Sequence, residues 1–211
     1  MAASKHYLFE TLFANKLYII SDSVAVLKKA IADGVTIIQL RDKLSGLNGI
    51  RRKAEELADQ AKNFKVLFII NDHPELAVEA GADGVHIGQD FSTLEARRIV
   101  GTDLMIGKST HSIEQGITAE KEGADYISVG PVFATPTKPG RPPVGLEYVR
   151  QAAKEIKIPF VAIGGICLDN IDQVLNAGAR TIGIVRAADD APRLLEIIKR
   201  NRDESNYQRK S

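Results

Sequence analysis

Gln39, Arg41 and Lys43 alternate along the chain, and in an extended segment alternate residues share one side while Leu40 and Asp42 take the other. Two cations then face one space. A second chemically loaded stretch runs from Tyr126 to Gly145, YISVGPVFATPTKPGRPPVG. Its first part, Tyr126 to Val132, has the form of a strand buried on both faces, closed by Pro131. The loop that follows offers Thr135, Thr137, Lys138 and Arg141 among prolines and a glycine that stiffen the path and forbid a helix. Hydroxyls and cations on a stiff loop suit an anion. Lys138 beside Arg41 and Lys43 would bring three positive charges to one pocket, enough for a pyrophosphate or a similarly dense anion. Asn71-Asp72 ends an apolar run with a carboxylate suited to magnesium, which takes few protein carboxylates and completes its octahedron with water and phosphate oxygens. Gly164-Gly165 permits backbone amides to approach a ligand closely.

Each of these stretches also has a plain reading: a solvated loop, a solvated strand end, an ordinary Asn-Asp turn, or glycines needed only for the turn. What favours chemistry is that all of them follow strand-like runs. His73, His86 and His111 fit no metal-ligand spacing, so packing or hydrogen bonding is the expectation for each.

The elements that must position these residues alternate regularly. Strand-like runs lie at Leu17 to Ser21, Thr36 to Leu40, Val66 to Ile70, Gly84 to Ile87, Met105 to Gly107, Tyr126 to Val129, Phe160 to Ile163 and Thr181 to Val185. Helical spacing occupies Val24 to Asp33, Leu47 to Phe64, Pro74 to Ala80, Thr93 to Val100, Ile113 to Glu122, Leu146 to Ile156, Asp169 to Ala177 and Ala191 to Arg200. Four junctions carry a glycine stop among small residues: Ala32-Asp33-Gly34-Val35, Ala80 to Gly84, Glu122 to Asp125 and Ala177 to Arg180. They read as tight αβ turns at one end of the molecule. This repetition predicts an α/β fold, a single (β/α)₈ TIM barrel. The rival is an open doubly wound sheet, for which no Gly-x-Gly-x-x-Gly turn is present. In a barrel the chemistry gathers where strands end, and those segments are polar here: Gln39 to Lys43, Asn71 to His73, His86 to Asp90, Lys108 to His111 and Arg186 to Asp190.

The 211 residues suit one domain, with a core of about 17–199, an N-terminal extension over 1–16 and a frayed, solvated basic tail over 200–211. With 28 basic and 27 acidic residues the net charge is +1. No global field therefore advertises nucleic acid or an anionic membrane as partner, and any anion site must be local. The one cysteine, Cys167, excludes an internal disulfide and a cysteine-cluster metal site; a buried, inert thiol in a reducing compartment is expected. No apolar run is long enough to span a bilayer or has the form of a cleaved leader, so a cytoplasmic protein follows.

As a set the residues resemble the thiamine-phosphate synthase and thiazole tautomerase superfamily. The resemblance covers Leu17 to about Lys199 and rests on QLRDK at 39–43, ND at 71–72, GVHIGQ at 84–89, GKSTH at 107–111, GPVFATPTK at 130–138 and AIGGI at 162–166. It implies a magnesium-dependent synthase that joins a pyrimidine pyrophosphate to a thiazole phosphate. Gln39, Arg41, Lys43, Asn71, Ser109 and Lys138 would hold the pyrimidine pyrophosphate, with Arg41, Lys43 and Lys138 neutralising the leaving group. Thr135, Thr137, Gly164, Gly165, Val185 and Arg186 would hold the thiazole phosphate. Asp72 would bind Mg²⁺. The family's second acidic ligand falls where this chain has Phe91, with Asp90 one place early, and Arg186 stands where the family has a serine. The tautomerase branch carries a histidine at the place of Pro131. A non-catalytic binder of thiazole phosphate or thiamine phosphate, its metal site lost at Phe91, is a further alternative.

Overall fold

Strands and helices alternate through residues 16–137, 140 and 142–208, the part of the chain that the computed structural model describes. The order is β1 (Lys16–Ser21), α1 (Val24–Ala32), β2 (Ile37–Leu40), α2 (Leu47–Phe64), β3 (Leu67–Asn71), α3 (Pro74–Glu79), β4 (Gly84–Ile87), α4 (Thr93–Val100), β5 (Met105–Thr110), α5 (Ile113–Lys121), β6 (Tyr126–Val129), α6 (Gly145–Glu155), β7 (Phe160–Ile163), α7 (Ile171–Asn176), β8 (Thr181–Ile184) and α8 (Ala191–Gln208). A 3₁₀ turn, Ala188–Asp190, leads into α8. Every strand pairs in parallel with its sequence neighbour, and β8 returns to β1 through Thr181 with Lys16 and Ile184 with Ile19. The sheet is a closed (β/α)₈ barrel, as the periodicity predicts.

Strand alternation builds two apolar layers. Ile38, Leu40, Phe68, Ile70, Val85 and Ile87 point outward and pack under the helices with Leu27, Leu57, Leu76 and Ala96. Tyr18, Ile20, Ile37, Leu67, Ile69, Tyr126 and Val161 point inward and fill the barrel. Each fully buried Leu or Ile contributes about 1.5–3 kcal/mol. The two tyrosines need room, and Gly107 supplies it: a Cβ there would overlap the Tyr126 ring and lie 2.5 Å from His86 Nδ1.

At one end, Gly34, Gly81, Gly123 and Gly178 all adopt positive φ, so the expected glycine stops are real αβ turns. At the other end, serines that follow the strands cap the helices. Ser23, Ser92 and Ser112 accept from the backbone N–H of Val26, Glu95 and Gln115. The helices are thereby anchored to the strands at both ends of the barrel.

Three expectations change. β5 runs to Thr110 rather than ending at Gly107, because its polar last residues still pair with Tyr126 to Val129. The segment after Arg200 is helical through Gln208, continuing α8 rather than fraying at its start. Cys167 is half-buried rather than sealed in the core, since it lies on the turn before α7. The expected extension over 1–15 lies outside the described residues.

Candidate active site

The barrel mouth holds a pocket of about 430 Å³. Gln39, Arg41 and Lys43 border it, while Leu40 packs outward and Asp42 turns away from it. Asp42 Oδ2 pairs with Lys53 Nζ at 2.5 Å, and Oδ1 accepts from Leu44 N and Ser45 N at 2.9 Å. The Lys53 bond, followed by those from Ser45, holds its carboxyl far below the usual range against the opposing effect of burial. This buried knot pins the β2 loop, so that Arg41 and Lys43 keep their side of it.

Asn71 and Asp72 end β3 on the pocket. Asp72 sits at φ 62, a left-handed conformation that Asp tolerates better than most residues. Its N–H bonds the His86 carbonyl at 2.9 Å, and its Oδ2 takes an ion pair from Lys43 Nζ. Burial raises the Asp72 carboxyl, but Lys43, Asn71 and His86 together outweigh it and leave the group below its ordinary value. The carboxylate is charged at neutral pH.

The loop after β4 resolves the place where the resemblance breaks. Phe91 packs against the outer apolar layer and does not border the pocket. Asp90 does border it. A Cβ on Gly88 would strike Asp90 Oδ1 and lie 4.0 Å from Asp72 Oδ1, so both carboxylates gather around one glycine. Lys108, an outward residue of β5 only 6% exposed, fixes this loop by donating to the carbonyls of Gly88 at 2.9 Å and Phe91 at 2.6 Å. Burial pulls its ammonium pKa down, opposed by Glu122 and Asp90. Among the described residues no three His, Cys, Asp or Glu side chains cluster as a protein-only metal cage.

Ser109, from β5, lies on the pocket wall, and Thr135, Thr137, Gly164, Gly165, Val185 and Arg186 border it from the loops after β6, β7 and β8. Thr137 N donates to Thr135 Oγ1, which in turn donates to Thr137 Oγ1, both at 3.3 Å, and this turns the two hydroxyls to one side. Gly164 and Gly165 have φ of 101 and 67. A Cβ on either would meet Pro131 at 2.5 Å or Ala134 O and Phe133 Cβ at 2.8 Å, so these glycines let the β7 loop lie against the β6 loop. Gly165 is nonetheless exposed on the pocket. Arg186 is exposed at the rim, with no hydrogen bond or ion pair to a described residue. Lys138 and Arg141 lie outside the described residues.

The floor holds side chains that sequence reasoning left out or treated as packing. Tyr18, His86, His111 and Ser128 all border the pocket. His86 Nδ1 lies 3.1 Å from Tyr126 Oη and its Nε2 lies 3.0 Å from Ser109 Oγ. His111 Nδ1 donates to the Gly130 carbonyl. Burial pushes the Tyr18 and Tyr126 hydroxyls well above their ordinary pKa, so both stay protonated. For Tyr18 the only local signal was an aromatic in an otherwise aliphatic run, which does not say that it faces inward.

A mouth with cations on one side, hydroxyls and glycines on the other, and two carboxylates between them can hold two anionic groups at once. A family model described as thiamine monophosphate synthase matches residues 13–188. The thiamine-phosphate synthase of Halalkalibacterium halodurans is 52% identical over 76% of this chain and 77% of its own length. That of Thermus thermophilus is 51% identical over 78% and 80% respectively. Among solved structures, thiamine phosphate pyrophosphorylase from Pyrococcus furiosus superposes with a TM-score of 0.79 at 31% identity, covering 89% of this chain and 98% of that one.

Proposed function

The chain belongs to the thiamine monophosphate synthase family, and from that premise we propose that its barrel mouth condenses 4-amino-2-methyl-5-(diphosphooxymethyl)pyrimidine with thiazole phosphate, giving thiamine phosphate and pyrophosphate. The protein is a transferase. The observation that carries this reading is convergence: Arg41, Lys43, Asp72 and Ser109 share one pocket with Thr135, Thr137 and Gly165. Joining two phosphorylated molecules requires an anion at each side of a single cavity. The C–O bond to pyrophosphate breaks at the pyrimidine methylene, and the thiazole nitrogen bonds to the same carbon, so no protein nucleophile is needed. Arg41 and Lys43, with Lys138 by resemblance, neutralise charge that grows on the leaving group, while the opposite wall orients the thiazole phosphate.

Magnesium belongs to the same reading. The donor chemistry fits it: Asp72 and Asp90 gather around Gly88, and Mg²⁺ uses one or two carboxylates with water and substrate phosphates. Bound there, the ion would add positive charge beside the leaving group. Lys43 keeps Asp72 ionised and ready. Among the described residues no helix is long and apolar enough to cross a membrane; a reducing, cytoplasmic setting is the compartment that suits a chain with one cysteine.

Supplying both substrates and Mg²⁺ to the purified chain should yield thiamine phosphate and pyrophosphate in equal amounts. Binding without turnover would replace the synthase reading by that of a non-catalytic binder. Pro131, buried in the pocket wall, leaves no histidine for the tautomerase alternative.

A further inference from the structure

In the proposed reaction the Lys43 ammonium serves the diphosphate and the Asp72 carboxylate serves the metal, yet in the fold the two hold one another. Lys43 Nζ pairs with Asp72 Oδ2, and both residues border the pocket. No second hydrogen bond or ion pair joins the Lys43 ammonium to a described residue. The contact that keeps Asp72 ionised therefore also occupies it. The other oxygen, Asp72 Oδ1, is the one that lies 4.0 Å from a Cβ on Gly88, on the side of Asp90.

The pair can open without disturbing the loops that carry it. Lys43 bears its charge on a flexible four-carbon stem, and its side chain is 53% exposed. The backbone beneath it is pinned through Asp42, which Lys53, Leu44 and Ser45 hold. Rotation of the side chain alone takes the ammonium off Asp72. Asp72 itself stays, because its N–H is bonded to the His86 carbonyl at 2.9 Å.

Charge decides when the exchange occurs. A carboxylate spreads one negative charge over two oxygens, so a cation on Oδ1 would share that charge with the ammonium on Oδ2 and be repelled by it. A free divalent ion thus meets a carboxylate already neutralised, and a free diphosphate meets an ammonium already neutralised. Arriving together, they remove both obstacles: the anion draws Lys43 away, and the bared carboxylate takes the ion that the anion carries.

We infer that the Lys43–Asp72 pair is an exchange latch that admits the divalent cation and the diphosphate as one complex and opposes the entry of either alone. This rests on the synthase reading, with its magnesium, for the identity of the two ligands. The linkage is reciprocal, so whatever affinity each ligand gains from the other is returned in equal measure.

Two gains of binding test the latch in the full chain without turnover, and a misfolded variant can produce neither. Lys43→Met frees the carboxylate, so Mn²⁺ with no phosphate present should bind about two- to fivefold more tightly by the free-ion EPR signal, the range of a partly exposed ion pair. Asp72→Asn frees the ammonium, so inorganic pyrophosphate in excess chelator should bind more tightly by a similar factor in calorimetry. Each variant has a control that removes the same charge and leaves the pair in place, Arg41→Met for the first and Asp90→Asn for the second. Both controls should gain less. Gains equal to those of the pair variants would assign the effect to charge alone and overturn the latch, as would unchanged or weaker binding in Lys43→Met or Asp72→Asn. Mn²⁺ that binds neither the wild type nor Lys43→Met would overturn the latch and the metal reading together. Both gains in a chain whose wild type makes no thiamine phosphate would support the latch and overturn the synthase reading instead.

Discussion

Arg41 reaches the pocket because strand alternation carries it there, and no described ion pair draws its charge elsewhere. In the proposed reaction its value would grow as negative charge develops, so Arg41→Ala should cut kcat by about 10²-fold or more, beyond any loss in binding. Steady-state kinetics in which only KM rises would remove Arg41 from leaving-group departure. The proposed metal would make a separate demand on Asp72 and Asp90. Each change to Asn should weaken Mn²⁺ binding, read from the free-ion EPR signal, by at least about tenfold. If Asp72→Asn alone does so, Asp90 is a bystander and the one-residue shift is not compensated. Restoring the family's residue by Phe91→Asp is a poorer test, because Phe91 packs on the outer apolar layer. At this scale the sequence was legible where the signal is local. The alternation of Gln39, Arg41 and Lys43 has a period, and Asp72 follows its own strand. Tyr18, Tyr126 and His86 were not legible as a set, because their contacts run across the barrel interior and depend on which strand lies opposite which.

Lys108 shows how an element inherits its function from a neighbour. The loop after β4 presents Asp90 to the pocket, yet its conformation is held from β5 by a buried ammonium on two carbonyls. Lys108→Met removes the ammonium from both carbonyls and leaves Gly88 O with only the long bond from Phe91 N at 3.5 Å, at a cost of about 1–3 kcal/mol, or a fall in Tm of roughly 2–4 °C per kcal/mol for a chain of this size. Amide exchange in the Gly88 to Ser92 segment should quicken, and Mn²⁺ affinity should drop with it. Unaltered exchange there would mean that the Ser92 cap holds the loop without help. Sequence periodicity would not suggest this clamp, since Lys108 falls where β5 turns polar and the strand itself looks finished. The same loss of contrast hides the end of α8: over residues 199–204 the helix buries little, and the sequence carries no apolar stripe to mark its continuation to Gln208. Where an element ends on a conformational requirement the boundary is readable, as at Gly34, Gly81, Gly123 and Gly178 with their positive φ.

The whole molecule carries a net charge of +1, so the affinity for two dense anions that the proposed reaction requires cannot come from a diffuse positive field. Its source in that proposal is closure of the barrel, which collects side chains from β2, β3, β5 and the loops after β6, β7 and β8 at one mouth. Charges elsewhere are a control for this claim. Lys65 and Arg180 are exposed and stand just before β3 and β8, at the end of the barrel away from the mouth. The Debye length is about 8 Å at physiological ionic strength, shorter than a strand of six residues such as β1. Lys65→Ala with Arg180→Ala should therefore leave the Kd for inorganic pyrophosphate within about twofold, although it removes as much charge as two mouth residues would. Arg41→Ala or Lys43→Ala should weaken the same binding at constant net charge change per residue, and Arg186→Ser should act on thiazole phosphate more than on pyrophosphate, because Arg186 stands on the wall with Thr135 and Thr137. Calorimetric titration with each ligand separates the three cases. Equal losses from the two ends of the barrel would mean that net charge, rather than the geometry of the mouth, governs anion capture.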